Sequence, residues 1–430
     1  MSGRGTGTRP GARRWALALT GGALALGLLA SACSTNTNAA GPKSSGGGQS
    51  GTPSGQSSSG GASGASPSAS PTKAPPPPAP VVSASPRSGS GDISPSTPAT
   101  VTVKNGTLSN VVLTSSSGVH VKLAQSADRS SVTTAQTLGY GKTYTWSGRA
   151  VGAEGRAVRV AGHFQTVAPG VILHASVNIG DGDKVGIAAP IIITFGGHVT
   201  DQAAAEKALT VKTSVPTTGS WAWLPDDSGQ SRVHWRPEHY WKPGTKVTVS
   251  AKLLGVNYGG GAFGEDDVTS KFSIGRSQIV KANVKSYRLL VYRNGKKLFD
   301  FPASYGLESD PNRNTHNGIH IVMEKFAIKY MSNPAYGYKN VPEPWSVRIS
   351  NNGEFIHNGN SSLGVQGSAN VSHGCVNLDY ANALAYYNTV LYGDPVEVTG
   401  SPIELNASDG DVYDWAVPWS QWTTYSALHH

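Results

Sequence analysis

From Ala99 onward, apolar and polar residues alternate in short runs: Val101-Thr102-Val103, Leu108 to Leu113, Val119 to Leu123, Thr143 to Trp146 and Val158 to Phe164. A period of two broken by Gly-containing turns predicts a small antiparallel sandwich over 99–167. A second module over 168–276 carries strand candidates at Pro190 to Phe195, Lys246 to Leu253 and Lys271 to Ile274, with a short helix or turn at Gln202 to Leu209. After Arg276 the alternation resumes. Ser286 to Tyr292 and Lys297 to Phe301 flank Asn294-Gly295, the residue pair that a two-residue hairpin turn favours. Further strands are predicted at His320 to Met323, Trp345 to Ile349, Phe355-Ile356 and Val396 to Thr399. One segment has the helical period instead. Asp379 is its N-cap candidate, Ala381, Leu384, Ala385, Tyr387, Asn388 and Leu391 line one face, and Gly393 ends it. The fold class that follows is mainly β.

Composition removes a long stretch from this account. Between Gly41 and Pro98, 17 Ser, 11 Gly and 12 Pro fill 40 of 58 positions, too few apolar residues for a core. The stretch 33–98 is therefore expected to be a disordered linker. Overall only 14% of residues are charged while Gly supplies 53, which argues against a coiled coil or a helical repeat.

The first thirty residues explain what the linker is for. Arg13-Arg14 precede an apolar run from Trp15 to Ala30, then Ser31, Ala32 and Cys33, the order of an export signal over 1–32. The run is short for a membrane span of about 20 residues. The segment resembles the lipobox of bacterial lipoproteins, which implies lipidation of Cys33 and an extracytoplasmic chain anchored to the membrane; it departs from the usual pattern in having Leu29 one place early and Ala30 in its stead. Removing Arg4, Arg9, Arg13 and Arg14 with the leader lowers the net charge from +9 to +5, spread over the remaining chain. No basic stripe is left for a nucleic-acid partner.

With Cys33 carrying a lipid, Cys375 is the one thiol left, so no internal disulfide is available and an unpaired thiol in an exported protein needs a reason. It could be a small buried hydrophobe. Its neighbours suggest otherwise: the sequence is Ser372-His373-Gly374-Cys375-Val376-Asn377, and His357 lies 18 residues upstream at the end of a strand candidate. A thiol becomes a good nucleophile when an imidazole or a helix N-terminus favours its ionised form. Both aids are expected here, and Gly374 with its neighbours offers backbone N–H groups for an oxyanion.

His357 with Ser372-His373-Gly374-Cys375-Val376-Asn377 resembles the signature of the L,D-transpeptidases, over roughly Lys281 to Trp422. Asp414 to Trp422 resembles the C-terminal extension of the mycobacterial type, which packs on the catalytic domain. Strand spacing and the segments Ser220-Trp221-Ala222-Trp223 and His234-Trp235-Arg236-Pro237 resemble bacterial immunoglobulin-like domains that precede cell-wall enzymes. The domain order implied is two Ig-like sandwiches, a catalytic domain over 277–400 and an extension over 401–430. Trp221, Trp223, Trp235 and Trp241 are expected to pack rather than to stack on sugars.

The resemblance implies that Cys375 attacks the carbonyl before the terminal D-Ala of a tetrapeptide stem and that His357 takes the thiol proton. It implies that the main-chain carbonyl of Asn358 orients His357, and that N–H groups of His373, Gly374 and Cys375 hold the oxyanion. A neighbouring stem amine then resolves the thioester to a 3→3 cross-link. Tyr338 in Gly337-Tyr338-Lys339 corresponds to the flap tyrosine, in a shorter flap. Asn352, Gly353, Asn370, Ser372 and Asn377 correspond to substrate-contacting positions, although Asn352-Gly353 and Asn370 also read as turn residues. Ser361 stands where relatives can carry an aromatic. No cofactor is implied, and carbapenems are implied as acylating inhibitors.

His316 and His320 are four apart, but Asn317-Gly318 breaks a helix between them, so no metal site is expected. No phosphate loop or Ser-x-x-Lys motif is present. Two other readings stay open: an L,D-carboxypeptidase or protein-attaching transpeptidase on the same fold, and a non-catalytic wall-binding lipoprotein.

Overall fold

The computed structural model describes residues 75–410 and 412–429. The leader over 1–32, Cys33 and the linker as far as residue 74 lie outside the described residues. Among the described residues no helix is long and apolar enough to cross a membrane.

The first sandwich has two four-stranded sheets. One runs in the order Val81–Ser85, Thr100–Lys104, Ser131–Thr134, Leu123–Gln125; the other in the order Ser90–Ile93, Ala157–Thr166, Thr143–Val151, Thr107–Ser115. Val101, Leu113, Trp146 and Phe164 are buried between them. Two of these strands, Val81–Ser85 and Ser90–Ile93, fall inside the stretch expected to be disordered. They sit at sheet edges, where backbone pairing to Thr100–Lys104 and Ala157–Thr166 supplies the order that their Ser- and Gly-rich side chains do not advertise.

The second sandwich pairs the sheet Ala175–Val177, Ile191–Phe195, Gln230–Pro237, Gly219–Asp227 with the sheet Lys184–Val185, Val268–Ile274, Lys246–Ala251, Leu209–Thr213. Trp221, Trp223, Trp235 and Trp241 all belong to its core, as packing residues. The short helix is Gln202–Lys207, capped by Asp201.

The last domain sets a five-stranded sheet (Lys296–Pro302, Arg288–Arg293, Gln278–Asn283, Pro395–Thr399, Gly318–Ile321) against a four-stranded one (Glu324–Asn333, Tyr338–Arg348, Phe355–Asn358, Val376–Leu378). Val291, Val347, Ile356, Val376 and Val396 fill the space between. The expected hairpin turn is present, with positive φ at both Asn294 and Gly295. The helix spans Tyr380–Tyr387, capped by the Asp379 carboxylate, which accepts from the Asn382 N–H at 2.8 Å. It is shorter than expected and buries a different face. Ala383 and Tyr386 point inward, whereas Ala381 is exposed, because small and aromatic residues distributed around the cylinder left the period ambiguous.

The extension packs on the catalytic domain as expected, with Asp414–Ala416 against the strand Gly318–Ile321, and it also reaches further. Past Asp409 it runs from the catalytic domain onto the second sandwich. Trp422 and Tyr413 cluster with Ala222 and Leu224, and the Arg236 guanidinium lies 4.7, 5.2 and 4.8 Å from the ring centres of Trp415, Trp419 and Trp422. His234 and Asp414, both fully buried, meet at 3.1 Å. The His234-Trp235-Arg236-Pro237 segment is thus half core, through Trp235, and half receptor for the extension. A second contact joins the same two domains: Gly393 lies so close to Ala189 that a Cβ there would sit 2.3 Å from the alanine methyl.

Candidate active site

The strand Phe355–Asn358 runs parallel to Val376–Leu378, with His357 opposite Asn377. That register brings Cys375, the residue just before the second strand, alongside the His357 imidazole. The thiol therefore opens a strand. The helix begins only at Tyr380, beyond Leu378, so the helix N-terminus expected to assist ionisation is not adjacent to Cys375, and the imidazole is the aid that remains.

His357 is 4% exposed, and its Nδ1–H donates to the main-chain oxygen of Asn358 at 2.8 Å. That bond leaves Nε2 as the nitrogen free for the thiol. Burial works against a charged ring, but hydrogen bonding to Cys375 and Glu343 and their negative charge outweigh it, raising the imidazole pKa to about 10. Cys375 Sγ also lies 3.6 Å from the Gly353 carbonyl, to which the thiol can donate.

The loop bearing the thiol is held from behind. Arg313 Nε donates to the Ser372 carbonyl at 3.1 Å and its Nη2 to the Val371 carbonyl; Thr315 Oγ1 donates to the Gly374 carbonyl at 2.7 Å, and Ser372 Oγ to the Cys375 carbonyl at 2.6 Å. Gly374 has φ +111°, a backbone state that other residues rarely adopt. Its N–H donates to Ser372 Oγ at 3.2 Å, so of the three N–H groups expected to face an oxyanion this one is already engaged.

Met331, Tyr338, Val341, Glu343, His357, Ser361, Ser372, His373, Cys375 and Asn377 line one cavity of about 330 Å³. Its lid is the hairpin of Glu324–Asn333 and Tyr338–Arg348, turned at Pro334–Tyr336. Tyr336 and Tyr338 both meet His373, with ring centres 4.6 and 5.5 Å apart. Burial lowers the His373 pKa, Arg313 adds to the effect and Asp310 opposes it.

The expected site residues thus divide. Cys375, His357, Tyr338, Ser372, His373 and Asn377 share the cavity, and the main-chain atoms of Gly353, Gly374 and Asn358 border the reacting pair. Asn370 does not join them. Its Oδ1 accepts from the Tyr305 N–H and its Nδ2 donates to the Val284 carbonyl and to Glu308, so its amide fastens loops behind the site. Asn352 acts locally: its Oδ1 accepts from the Glu354 N–H and its Nδ2 meets His316 Nδ1 at 3.1 Å. His316 and His320 gather around the buried Glu354 carboxylate, at 2.9 and 3.6 Å. The hydrogen bond to Glu354 raises the His316 pKa against the effect of burial. Sequence reasoning missed Arg313, Thr315, Tyr336 and Glu343, none of which lies in a motif. It also missed Gly359, where a Cβ would sit 2.3 Å from Asn377 Cγ.

The family model described as a bacterial Ig domain matches residues 90–257, and that of the L,D-transpeptidase catalytic domain matches 277–398. L,D-transpeptidase 5 of Mycobacterium tuberculosis is 52% identical over 354 residues, 82% of this chain and 78% of that protein. The chain belongs to the L,D-transpeptidase family. L,D-transpeptidase 2 of the same species is 36% identical over 355 residues, 81% of this chain and 85% of that protein. Among solved structures, LdtMt1 in complex with imipenem is 34% identical, with a TM-score of 0.45, and covers 54% of this chain and 99% of its own. This transpeptidase is thus a peptidoglycan enzyme that works outside the cytoplasm.

Proposed function

We propose that this transpeptidase forms 3→3 cross-links through a thioester on Cys375. The observation that supports this reading is the pairing of Cys375 with an imidazole whose Nδ1 is tied to Asn358 O, both lining one cavity. In the resting pair the thiol proton sits on His357, and the thiolate Sγ attacks the carbonyl carbon before the terminal D-Ala. N–H groups of His373 and Cys375 receive the oxyanion. As the C–N bond breaks, His357 returns the proton to the leaving D-Ala amine. The amine of a second stem attacks the thioester and gives its proton to His357 as the C–S bond breaks, which restores the thiolate–imidazolium pair. The protonated imidazole favoured at neutral pH is the form that leaving-group departure needs.

Mass analysis of products from purified tetrapeptide stems tests this. A dimer with loss of D-Ala is expected. Shortened monomer alone would replace the reading with an L,D-carboxypeptidase, and attachment only to a protein lysine with a protein-attaching enzyme. Acylation of Cys375 by carbapenems belongs to the same reading, since these compounds present a strained carbonyl to the thiolate.

The proposed organisation is a lipoprotein leader over 1–32, Cys33 as the lipid-bearing N-terminus, a tether ending before Val81, two sandwiches, the catalytic domain and the extension. A coil of roughly 50 Gly/Ser-rich residues spans about 40 Å, a working radius outside the membrane. Cys33→Ser is expected to move the protein from the membrane to the soluble fraction; unchanged fractionation would rule the anchor out.

A further inference from the structure

The lid hairpin carries one residue that no motif pointed to. Glu343 lies on the strand Tyr338–Arg348, opposite Lys329 in the hairpin register. A carboxylate and an ammonium facing each other across an exposed hairpin would ordinarily pair. Here they turn apart. The Lys329 ammonium lies over the Phe326 ring, 4.4 Å from its centre, while Glu343 lines the cavity and brings Oε2 to 3.2 Å from His357 Nδ1. The Nδ1–H is aimed at the Asn358 carbonyl at 2.8 Å, and the carboxylate stands beside that bond. Each acceptor has a different consequence. The carbonyl, a neutral dipole, fixes the tautomer and the ring plane; the carboxylate adds a full negative charge that favours the imidazolium.

We propose that Glu343 is a positioning residue of the lid that stabilises the His357 imidazolium, so that the reacting pair and the lid act as one unit. This rests on the roles given above to Cys375 and His357. The charged and titratable groups facing His357 are few: Glu343 from the lid strand, Cys375 from the loop, and Tyr338, whose phenol is itself raised by burial and by the charges of Cys375 and Glu343. Burial alone would lower the His357 pKa, so the elevation requires a nearby anion. In the acylation step the same proton must pass from the imidazolium to the D-Ala amine. Losing the carboxylate therefore moves the alkaline limb of the reaction to lower pH, because His357 gives up its proton sooner.

The test uses the full chain. In the Cys375→Ala protein, NMR titration of His357 reads the imidazole with no thiol beside it, and independently of turnover. A midpoint above about 7 is expected, falling by about one pH unit or more when Glu343→Gln is added. The same midpoint in both proteins overturns the proposal. If the Gln variant does not fold, the Cys375→Ala titration decides, and a midpoint near the ordinary value of about 6.5 overturns it. In the enzyme with Cys375 intact, Glu343→Gln is expected to shift the alkaline limb of kcat/KM for D-Ala release downward by a similar amount. Lower activity with an unmoved limb would mean that Glu343 merely packs the lid or touches substrate, and would also overturn it. Retained transfer by Cys375→Ala would sink the reading beneath, whatever the titration gives.

Discussion

Cys375→Ala is expected to lower transfer between tetrapeptide stems by at least about 10³-fold, to the level of the uncatalysed reaction. The size of the effect follows from what the thiol does. It forms the covalent bond, and Ser372 Oγ, the nearest hydroxyl in the motif, is spent on the Cys375 carbonyl. Intact-mass spectrometry after carbapenem exposure should show a gain of one inhibitor on the parent protein and none on the variant. An equal gain on both would place acylation elsewhere, and equal transfer would remove Cys375 from the chemistry. Folding should be little disturbed, because the side chain is only partly buried and its polar contacts are with the Gly353 carbonyl and the His357 imidazole at the cavity. Unchanged binding to sacculi is therefore expected alongside the loss of activity.

Arg313→Ala is expected to produce the second-largest loss, about 10²-fold in carbapenem acylation rate, although Arg313 never touches the sulfur. Its guanidinium binds the carbonyls of Val371 and Ser372 and lies 5.8 Å from the ring centre of Tyr336 in the lid turn. Removing it leaves two carbonyls of the catalytic loop without their charged donor and loosens the lid tip at the same time. Charge-assisted hydrogen bonds of this kind contribute about 2 kcal/mol each. Attack on a bulky carbonyl needs the sulfur placed to a fraction of an ångström, whereas alkylation by iodoacetamide tolerates a mobile thiol. The two rates should therefore separate, with alkylation falling far less than acylation. Equal falls in both would mean that the thiolate itself, rather than its placement, depends on Arg313.

The motif around Cys375 was legible because reactive groups and a glycine of unusual φ occupy adjacent positions, and local spacing is what a sequence displays. The tryptophans of the second sandwich were legible as packing because large aromatic residues in a sandwich most often fill its core, as all four do here. The helix face was misread where Ala and Tyr gave no clear period, and the helix was expected to touch Cys375 because the three-residue strand Val376–Leu378 is too short to announce itself. The strands at Val81–Ser85 and Ser90–Ile93 looked like tether because an edge strand draws its order from its neighbour's backbone. Asn370 read from its place near the motif as either a substrate contact or a turn residue, and its amide bonds to Tyr305, Val284 and Glu308 fit the structural role.

By itself the sequence determined the β-rich class and the order of the modules, and it singled out Cys375 and His357 as the proposed nucleophile and base, since alternation, turn residues and a six-residue motif are all local properties of the chain. Only the tertiary structure decided how that base is charged, what braces the loop, and where the extension docks. Glu343, Arg313 and Arg236 act on residues 14, 59 and 181 positions away, at His357, Ser372 and Val417. Such partners meet through strand register and domain packing, and electrostatic energy depends on that distance in space, which separation along a chain does not reveal.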